Sequence, residues 1–296
     1  MKGSHAQQTA KIMVNFEKIC IQLLPRLVIV AGDVNSTLAC ALVATKLQIK
    51  VAHVESGLRS FDKTMPEEVN RIVTDHISDF LFTTEQSANR NLKEEGVDQN
   101  KVYFVGNCMI DSLLEYVSLA KKMVPWEAYG FSGGDYMLIT LHRPSNVDKK
   151  DVLLKYIKLI NQISEKIPVL FPVHPRTLKN IKHYKVTFTE SVTVINPSPY
   201  IEFLGLLSNA KVVLTDSGGI QEETTMLKIP CITLRENTER PITIDKGTNI
   251  LAGTNPNNIM LELTKIINGD IKNGSVPDLW DGKAGRRIVK ILKEFL

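Results

Sequence analysis

Residues 212–223 read VVLTDSGGIQEE, and this stretch decides the fold. A short apolar run, Val212–Leu214, ends in a polar segment with two adjacent glycines, and a helical pattern then continues to Leu227. A continuous apolar run of this length is typical of a strand in a parallel sheet that is buried on both faces. A strand that leads through a glycine-rich turn into a helix is the repeating unit of doubly wound α/β folds.

The same alternation of apolar runs and amphipathic stretches continues along the chain. Leu153, Ile157, Ile160 and Ile163, for example, fall on one face of a helix before the apolar run at Val169. The pattern therefore predicts an α/β fold with doubly wound parallel sheets. The predicted strands are Leu27–Ala31, Lys50–Val54, Phe80–Thr83, Val102–Val105, Tyr136–Thr140, Val169–Pro172, Val192–Ile195, Val212–Leu214, Cys231–Thr233 and Ile250–Leu251.

The length of 296 residues suits two domains. Pro125, Gly130 and the pair Gly133-Gly134 punctuate the chain just before a new strand, which places a boundary there. We predict Rossmann-like domains at 1–124 and 125–279 and a C-terminal helix in 280–296. That helix carries an apolar stripe made of Ile288, Ile291, Leu292 and Phe295.

The composition excludes several classes of protein. Basic residues are spread along the chain, the net charge is only +4 and aromatic residues make up 6%, which argues against a nucleic-acid binder. No apolar run reaches the length of a membrane helix, and the start of the chain lacks a signal-peptide pattern. The four cysteines form no C-x-x-C pair, so we expect buried, reduced thiols and a cytoplasmic protein.

The segment Asp216–Glu223 has two interpretations. The glycines after Ser217 would leave backbone N–H groups exposed at a helix start, where a phosphate can approach closely. A glutamate in the following turns could accept hydrogen bonds from ribose hydroxyls. The alternative is an ordinary helix start capped by Asp216 or Ser217.

Three acids follow predicted strands of the first domain: Asp33 in GDVNST, Glu55 in HVESGLRS and Glu67 in MPEEVNR. Such acids at one rim suit proton transfer at carbon, because unlike environments can separate their pKa values. The alternative for Asp33 is a local Asx-type turn. For Glu67 it is a carboxylate that merely favours the first turn of a helix.

Cationic groups follow strands of the second domain. His142-Arg143 and His174-Pro175-Arg176 come after neighbouring strands and could bond a diphosphate, whereas Arg240 lies in a charged segment that could equally be a solvated loop. The sequence has no H-E-x-x-H, His/Cys quartet, G-x-G-x-x-G or P-loop. We therefore expect no metal and no cofactor.

Taken in order, these motifs resemble the non-hydrolysing UDP-N-acetylglucosamine 2-epimerase family. The set that carries the resemblance is GDVNST (32–37), HVESGLRS (53–60), MPEEVNR (65–71), VGN (105–107), MID (109–111), TLHRPSNVD (140–148), VHPRT (173–177), TDSGGIQEE (215–223) and ENTERP (236–241). The resemblance implies a GT-B-like fold, with two Rossmann-like domains, an active site in the cleft and a C-terminal helix that crosses back onto the first domain. It also implies a homodimer that needs no metal or redox cofactor.

The resemblance further implies inversion at C2 of UDP-N-acetylglucosamine through elimination of UDP, a 2-acetamidoglucal and re-addition, for surface polysaccharide precursors. It assigns acid–base roles around C2 to Asp33, Glu55 and Glu67, and places His142 near the phosphates. It assigns the diphosphate to Ser217, Gly218, Gly219 and Arg240, the ribose to Glu223 and the uracil side to Phe203.

One departure from the family pattern stands out. The family's first strand and its G-T-R-P-E loop have no counterpart, and the first strand here is preceded by a helix. We therefore expect the first part of the N-terminal domain to be absent from this chain, and the chain alone to turn over poorly.

Alternative functions stay open at this point. One is an epimerase of a UDP-diacetamido-uronic acid, and another is a non-catalytic split-gene remnant. A GT-B glycosyltransferase would share the SGG and EE pattern, but it gives no reason for HVESGLR and MPEEVNR to occur together.

Overall fold

The structure, a computed structural model, describes residues 3–295. It divides into two compact units: unit 1 holds the residues up to Asp111 and those from Asp278 onward, and unit 2 is Ser112–Pro277. The division falls within helix α5 (Cys108–Lys122). The domain limits at 124/125 and 279/280 stay a prediction.

Unit 1 is built on a four-stranded parallel sheet whose strands lie in chain order. Its short strands are largely apolar, and Phe80–Thr83 is buried along its whole length, as expected where layers cover both faces of a sheet. The strands are β1 (Leu27–Ala31), β2 (Lys50–Ser56), β3 (Phe80–Thr83) and β4 (Val102–Phe104); the helices are α1 (His5–Leu23), α2 (Asn35–Lys46), α3 (Pro66–Ile77), α4 (Gln86–Glu94) and α13 (Ala284–Lys293), with a 3-10 turn at Gln99–Lys101.

Two apolar cores lie in unit 1. Val30 of β1, Ala41 of α2 and Val51 of β2 belong to one of them. In the other, Ile288 and Leu292 of α13 pack with a second set of buried residues: Ala52, Phe80, Phe82 and Val105. The stripe predicted for the C-terminal helix is therefore confirmed, and α13 packs within unit 1.

Unit 2 is built on a six-stranded parallel sheet in the order β10-β9-β8-β5-β6-β7. The chain order runs in opposite directions on the two sides of the β8–β5 pair, which makes this pair the topological switch point. The strands are β5 (Met137–Thr140), β6 (Val169–Pro172), β7 (Val192–Ile195), β8 (Val212–Thr215), β9 (Cys231–Thr233) and β10 (Asn249–Leu251). The helices are α6 (Pro144–Val147), α7 (Lys150–Ser164), α8 (Pro175–His183), α9 (Tyr200–Ser208), α10 (Gly218–Leu227), α11 (Ile242–Asp245) and α12 (Pro256–Ile267), with a 3-10 turn at Pro125–Tyr129.

The predicted stripe of α7 is buried in the core of unit 2, with Leu153, Ile157, Ile160 and Ile163 packed in one cluster with residues of the sheet. Burial of each such side chain stabilises the fold by about 1.5–3 kcal/mol. This core holds the sheet in place, and the polar loops follow the carboxyl ends of its strands.

All ten predicted strands are confirmed, with ends that differ by two residues at most. The largest difference is in β2, which continues to Ser56. Its pairing with β3 shifts register between Val54 and Ser56, and Glu55 adopts a positive φ of 69°. A bulge of this kind cannot be read from apolar alternation, because it depends on the partner strand.

Helix α1 is confirmed as a helix, but its apolar face is only partly covered. Cys20 is buried, whereas Ile19 and Leu23 are exposed. The residues between 3 and 295 contain no helix that combines the length and the hydropathy needed to cross a bilayer.

Two glycines of unit 1 allow a matched test of packing. Gly57 and Gly96 have similar φ values, 79° and 77°, in the left-handed region. A Cβ on Gly57 would lie 2.6 Å from the Ala88 carbonyl oxygen, whereas a Cβ on Gly96 would meet no atom within 4 Å. We expect Gly96→Ala to cost about 1 kcal/mol, from backbone strain alone, and Gly57→Ala about 2–4 kcal/mol. Chemical denaturation measures both; equal losses would contradict the steric account.

Candidate functional site

Asp33 follows β1 and is held by helix α3. Arg71 Nε donates to Asp33 Oδ2 at 3.0 Å, and the Asn70 side-chain amide donates to the Asp33 carbonyl at 2.8 Å. Arg71 is 2% exposed, so a buried cation faces this carboxylate. The carboxylate is thus oriented by α3 and not by a local Asx-type turn.

Glu55 lies in the bulge near the end of β2. Its side-chain Oε2 is 3.7 Å from the position that a Cβ on Gly32 would occupy, which places it beside the loop of Asp33. A glutamate at positive φ costs of order 1–3 kcal/mol, and such strain persists where the surrounding structure enforces it, often at active sites. The structure therefore brings Asp33 and Glu55 together.

Glu67 and Glu68 are adjacent in the first turn of α3 but differ in their surroundings. Glu68 is 1% exposed; it pairs with Arg71 and accepts hydrogen bonds from Ser60 N–H (2.9 Å) and Phe61 N–H (2.8 Å). Glu67 is half-buried and makes no hydrogen bond or ion pair with any residue that the structure describes. Of the two acids, Glu67 is the one available to a ligand.

A buried ionic brace lies beneath these loops. His53 is fully buried, with Nδ1 2.7 Å from Asp75 Oδ1 and with Nε2 donating to the Gly32 carbonyl at 2.9 Å. Arg59 Nη1 donates to Asp75 Oδ2 at 2.7 Å, and its other nitrogens bind Glu95. Burial works against the charge on His53, but the bond and charge of Asp75 raise its pKa above the ordinary value. The brace fixes the carbonyl next to Asp33.

In unit 2, Asp216 follows β8 at the switch point and is fully buried. It accepts hydrogen bonds from the backbone N–H groups of His142 (3.1 Å) and Arg143 (3.0 Å), at the end of neighbouring β5. The Asn146 side chain donates a further bond at 3.0 Å. Burial opposes its ionisation, yet these bonds and His142 hold the pKa of Asp216 below its usual range.

The same carboxylate orients the imidazole of His142. Nδ1 lies 2.8 Å from Asp216 Oδ1, and a carboxylate only accepts, so Nδ1 carries a proton. The side chain is 41% exposed, which leaves Nε2 as the nitrogen that can bond a ligand or exchange a proton.

Helix α10 begins without a side-chain cap. Ser217 is the N-cap residue but makes no capping hydrogen bond, and Asp216 is turned towards the loop after β5. The alternative of an ordinary capped helix start is therefore wrong. The first N–H groups of a helix, here including those of Gly218 and Gly219, have no partner inside it.

Charged side chains surround this helix start. Glu239 is 3% exposed and contacts Arg240 Nη1 (3.0 Å), Arg143 Nη2 (3.5 Å) and Arg235. Burial would raise the pKa of Glu239, but the three arginines lower it far below its usual range. A Cβ on Gly218 would lie 2.7 Å from Glu239 Oε1, so a larger residue there would have to displace this cluster from the helix end.

The two glutamates of α10 also differ. Glu222 is fully buried, and its Oε1 lies 3.0 Å from Arg240 Nε. Glu223 pairs with no cation among residues 3–295, and its Oε1 accepts a hydrogen bond from the Tyr200 hydroxyl at 3.0 Å. Tyr200 begins α9, and Phe203 lies one turn later on the same side of that helix. The structure thus joins Glu223 to the first turn of the helix that carries Phe203.

His174 and Arg176 after β6 are largely engaged. His174 Nδ1 accepts the Arg176 N–H at the start of α8, and its ring centroid lies 5.9 Å from that of His142. Arg176 binds Asp148 through two nitrogens, at 2.7 and 2.6 Å. Arg176 therefore forms a local ion pair with Asp148.

A family model described as UDP-N-acetylglucosamine 2-epimerase matches residues 1–293. The chain belongs to the UDP-N-acetylglucosamine 2-epimerase family. A member from Methanocaldococcus jannaschii is 45% identical over 98% of this chain and 81% of its own length. The UDP-2,3-diacetamido-2,3-dideoxy-D-glucuronate 2-epimerase of Pseudomonas aeruginosa is 40% identical over 85% of this chain and 70% of its own.

A solved structure of this family supports the GT-B-like fold. The Methanocaldococcus jannaschii UDP-GlcNAc 2-epimerase, in complex with UDP-GlcNAc and UDP, has a TM-score of 0.92 at 44% identity and covers 99% of this chain and 82% of that one. Nowhere between residues 3 and 295 do three or more His, Cys, Asp or Glu side chains gather as a metal-binding group.

Reading the sequence missed several residues of this site. Asp216 was considered only as a cap, and the buried partners Arg71 and Glu239 gave no signal of their own. A signal did exist for Tyr200, because its spacing of three residues from Phe203 predicts a shared helix face.

The pH dependence of stability tests the ionic brace. His53 has a raised folded pKa, so its stabilisation is fully present below the unfolded value of 6.5 and is lost as the pH rises through the folded value. We expect His53→Gln to lower the free energy of unfolding by about 2–4 kcal/mol at pH 6, and the gap to narrow towards pH 9. Denaturant titrations measure it, with the exposed His183→Gln as control. A gap that widens with pH would contradict the charged brace.

Proposed function

We propose that the chain inverts the configuration at C2 of UDP-N-acetylglucosamine, giving UDP-N-acetylmannosamine for surface polysaccharide precursors. The observation that carries the proposal is the uncapped start of α10 beside Arg240, with Glu223 one turn further along the helix. An anion site followed by a carboxylate at this spacing suits a diphosphate joined to a ribose.

We assign nucleotide binding to unit 2. The N–H groups of Gly218 and Gly219, the Ser217 hydroxyl and Arg240 would hold the diphosphate. Glu223 would accept a ribose hydroxyl, and Phe203 would lie against the uracil, since an aromatic face is a surface on which a base can stack. The arginines carry the charge that develops when UDP leaves.

We assign proton transfer to the acids of unit 1: Asp33, Glu55 and Glu67. One carboxylate takes the C2 proton; the C–H electrons form the C1–C2 double bond, and the C1–O bond breaks with its electrons passing to UDP. A proton is then delivered to C2 from the opposite face, and the UDP oxygen bonds to C1 again. Since C2–H is a weak acid, a positioned base is needed.

We assign His142 to the phosphate that departs and returns. With Nδ1 held by Asp216, Nε2 is fixed in its tautomer and can donate to the developing phosphate oxygen when the ring is charged. This assignment requires no metal and no cofactor.

The second candidate substrate is a UDP-diacetamido-uronic acid. The Pseudomonas relative supports it, because its identity to this chain is close to that of the UDP-N-acetylglucosamine epimerases. The C2 chemistry is the same for both sugars, so the acids of unit 1 do not discriminate between them.

We also propose that the protein works in the cytoplasm as a homodimer. The four cysteines are free, which suits a reducing compartment. Light scattering of the purified chain tests the dimer.

Isotope exchange tests the epimerase. With UDP-N-acetylglucosamine in heavy water, we expect deuterium to appear slowly at C2 of both epimers. Asp33→Asn, Glu55→Gln and Glu67→Gln should each slow this exchange by about 10²–10⁴-fold, because each removes a carboxylate that can move a proton. Proton NMR measures the exchange.

The exposed acid Glu94 of α4 supplies the control, since Glu94→Gln should leave the rate unchanged. If the wild-type chain binds the nucleotide sugar but never exchanges C2, the epimerase is ruled out in favour of a non-catalytic binding protein.

Direct competition decides between the two sugars. We expect kcat/KM to be at least about tenfold higher for UDP-N-acetylglucosamine than for the diacetamido-uronate, because the C6 carboxylate of the uronate would have to give up its hydration on binding. The reverse ranking would assign the uronate instead.

A further inference from the structure

The functional assignment uses Glu223, but it gives no role to the hydrogen bond that Glu223 accepts from Tyr200. The Tyr200 hydroxyl donates to Glu223 Oε1 at 3.0 Å, across the packing of α9 on α10. Glu223 is 3% exposed, whereas Tyr200 is 41% exposed. The half-exposed hydroxyl of Tyr200 therefore holds one oxygen of the buried carboxyl group of Glu223.

The other oxygen of this carboxyl group is Oε2. It makes no hydrogen bond to any residue that the structure describes, and it is not among the fully buried polar atoms. One oxygen is thus engaged and the other is accessible. This geometry presents a single, oriented acceptor to a ligand hydroxyl.

In the part of the chain that the structure describes, no cation forms an ion pair with Glu223. Burial raises its pKa to about 7, and the hydrogen bond from Tyr200 acts in the opposite direction. Its neighbour Glu222 is paired with Arg240, and on β9 the Cys231 thiol stays neutral because burial raises its pKa to about 11. Two other elements that contact α10 carry ionisable groups: Glu202 on α9 is bonded by Tyr129 and Ser198, and the exposed Asp245 and Lys246 lie at the end of α11. Strands β8 and β10 carry none.

We propose that Tyr200 is a positioning residue for Glu223, and that the pair couples nucleotide binding to the release of one proton. The inference rests on the proposed function, in which Glu223 accepts the ribose hydroxyls. A neutral carboxyl group keeps a proton on one oxygen, so it offers the ribose a poorer acceptor than a carboxylate does.

The hydrogen bonds to the ribose determine whether affinity rises or falls with pH. Ribose hydroxyls donate to the carboxylate and favour its ionised form, so the bound state has the lower pKa of the two. Affinity therefore rises with pH until Glu223 is ionised in the free protein, near pH 7, and is level above it. Below that pH, binding releases a proton to the buffer.

Calorimetric titration with UDP-N-acetylglucosamine tests the proposal. Both of its phosphates are esterified, so the ligand does not itself ionise near pH 6. We expect about tenfold weaker binding at pH 6 than at pH 8, and the release of close to one proton at pH 6, measured in buffers of different ionisation enthalpy.

Two variants assign the effect to the pair. Glu223→Gln should weaken binding and abolish its pH dependence, since an amide does not titrate. Tyr200→Phe should move the midpoint of the affinity curve upward by about one pH unit, because it removes the bond that favours the carboxylate.

Tyr129→Phe is the matched control. Its hydroxyl donates to Glu202 Oε1 at 3.2 Å in the same unit, but Glu202 holds no place in the proposed ribose contact. This variant should keep the wild-type midpoint. If Tyr200→Phe weakened binding equally at all pH values, Tyr200 would be a structural residue only.

Two further outcomes separate this inference from the proposed function. Tight binding with no pH dependence and no proton release overturns the inference and leaves the nucleotide site intact. The absence of binding at any pH overturns both.

Discussion

The site in unit 2 depends on the hydrogen bonds that the buried carboxylate of Asp216 accepts. A charge removed from water is tolerated only when hydrogen bonds replace its hydration, and here the loop after β5 supplies them through His142, Arg143 and Asn146. Because β5 and β8 flank the switch point, satisfying Asp216 joins the two loops that diverge there. Because Asp216 is turned towards that loop, the start of α10 has no side-chain cap.

Unit 1 follows a similar logic with other residues. His53 and Asp75 form a buried ion pair that fixes the Gly32 carbonyl, and Arg71 holds the adjacent Asp33. Breaking one partner of such a pair leaves an uncompensated charge, which is why these contacts define geometry more than they add net stability. The strain at Glu55 persists in this rigid surrounding, and it places the acid beside Asp33.

Much of the fold could be predicted from the sequence, because buried parallel strands are continuous apolar runs and polar motifs follow their carboxyl ends. The motifs also located the acids and the helix start at Gly218. What could not be predicted depends on partners distant in the chain: Tyr200 meets Glu223, and Asp216 meets His142. Adjacent acids such as Glu67 and Glu68 look alike in sequence, and only the buried partners of Glu68 separate them.

The charge balance around α10 links the fold to its proposed ligand. Three guanidinium groups, on Arg143, Arg235 and Arg240, contact the carboxylates of Glu222 and Glu239. Keeping charged groups away from water in a mostly buried cluster of this kind costs free energy. A diphosphate would relieve that cost at the uncapped helix start, so part of the free energy spent in folding the cluster returns as affinity. The arginines that destabilise the empty site would thus stabilise the occupied one, and more so as charge builds on the departing UDP.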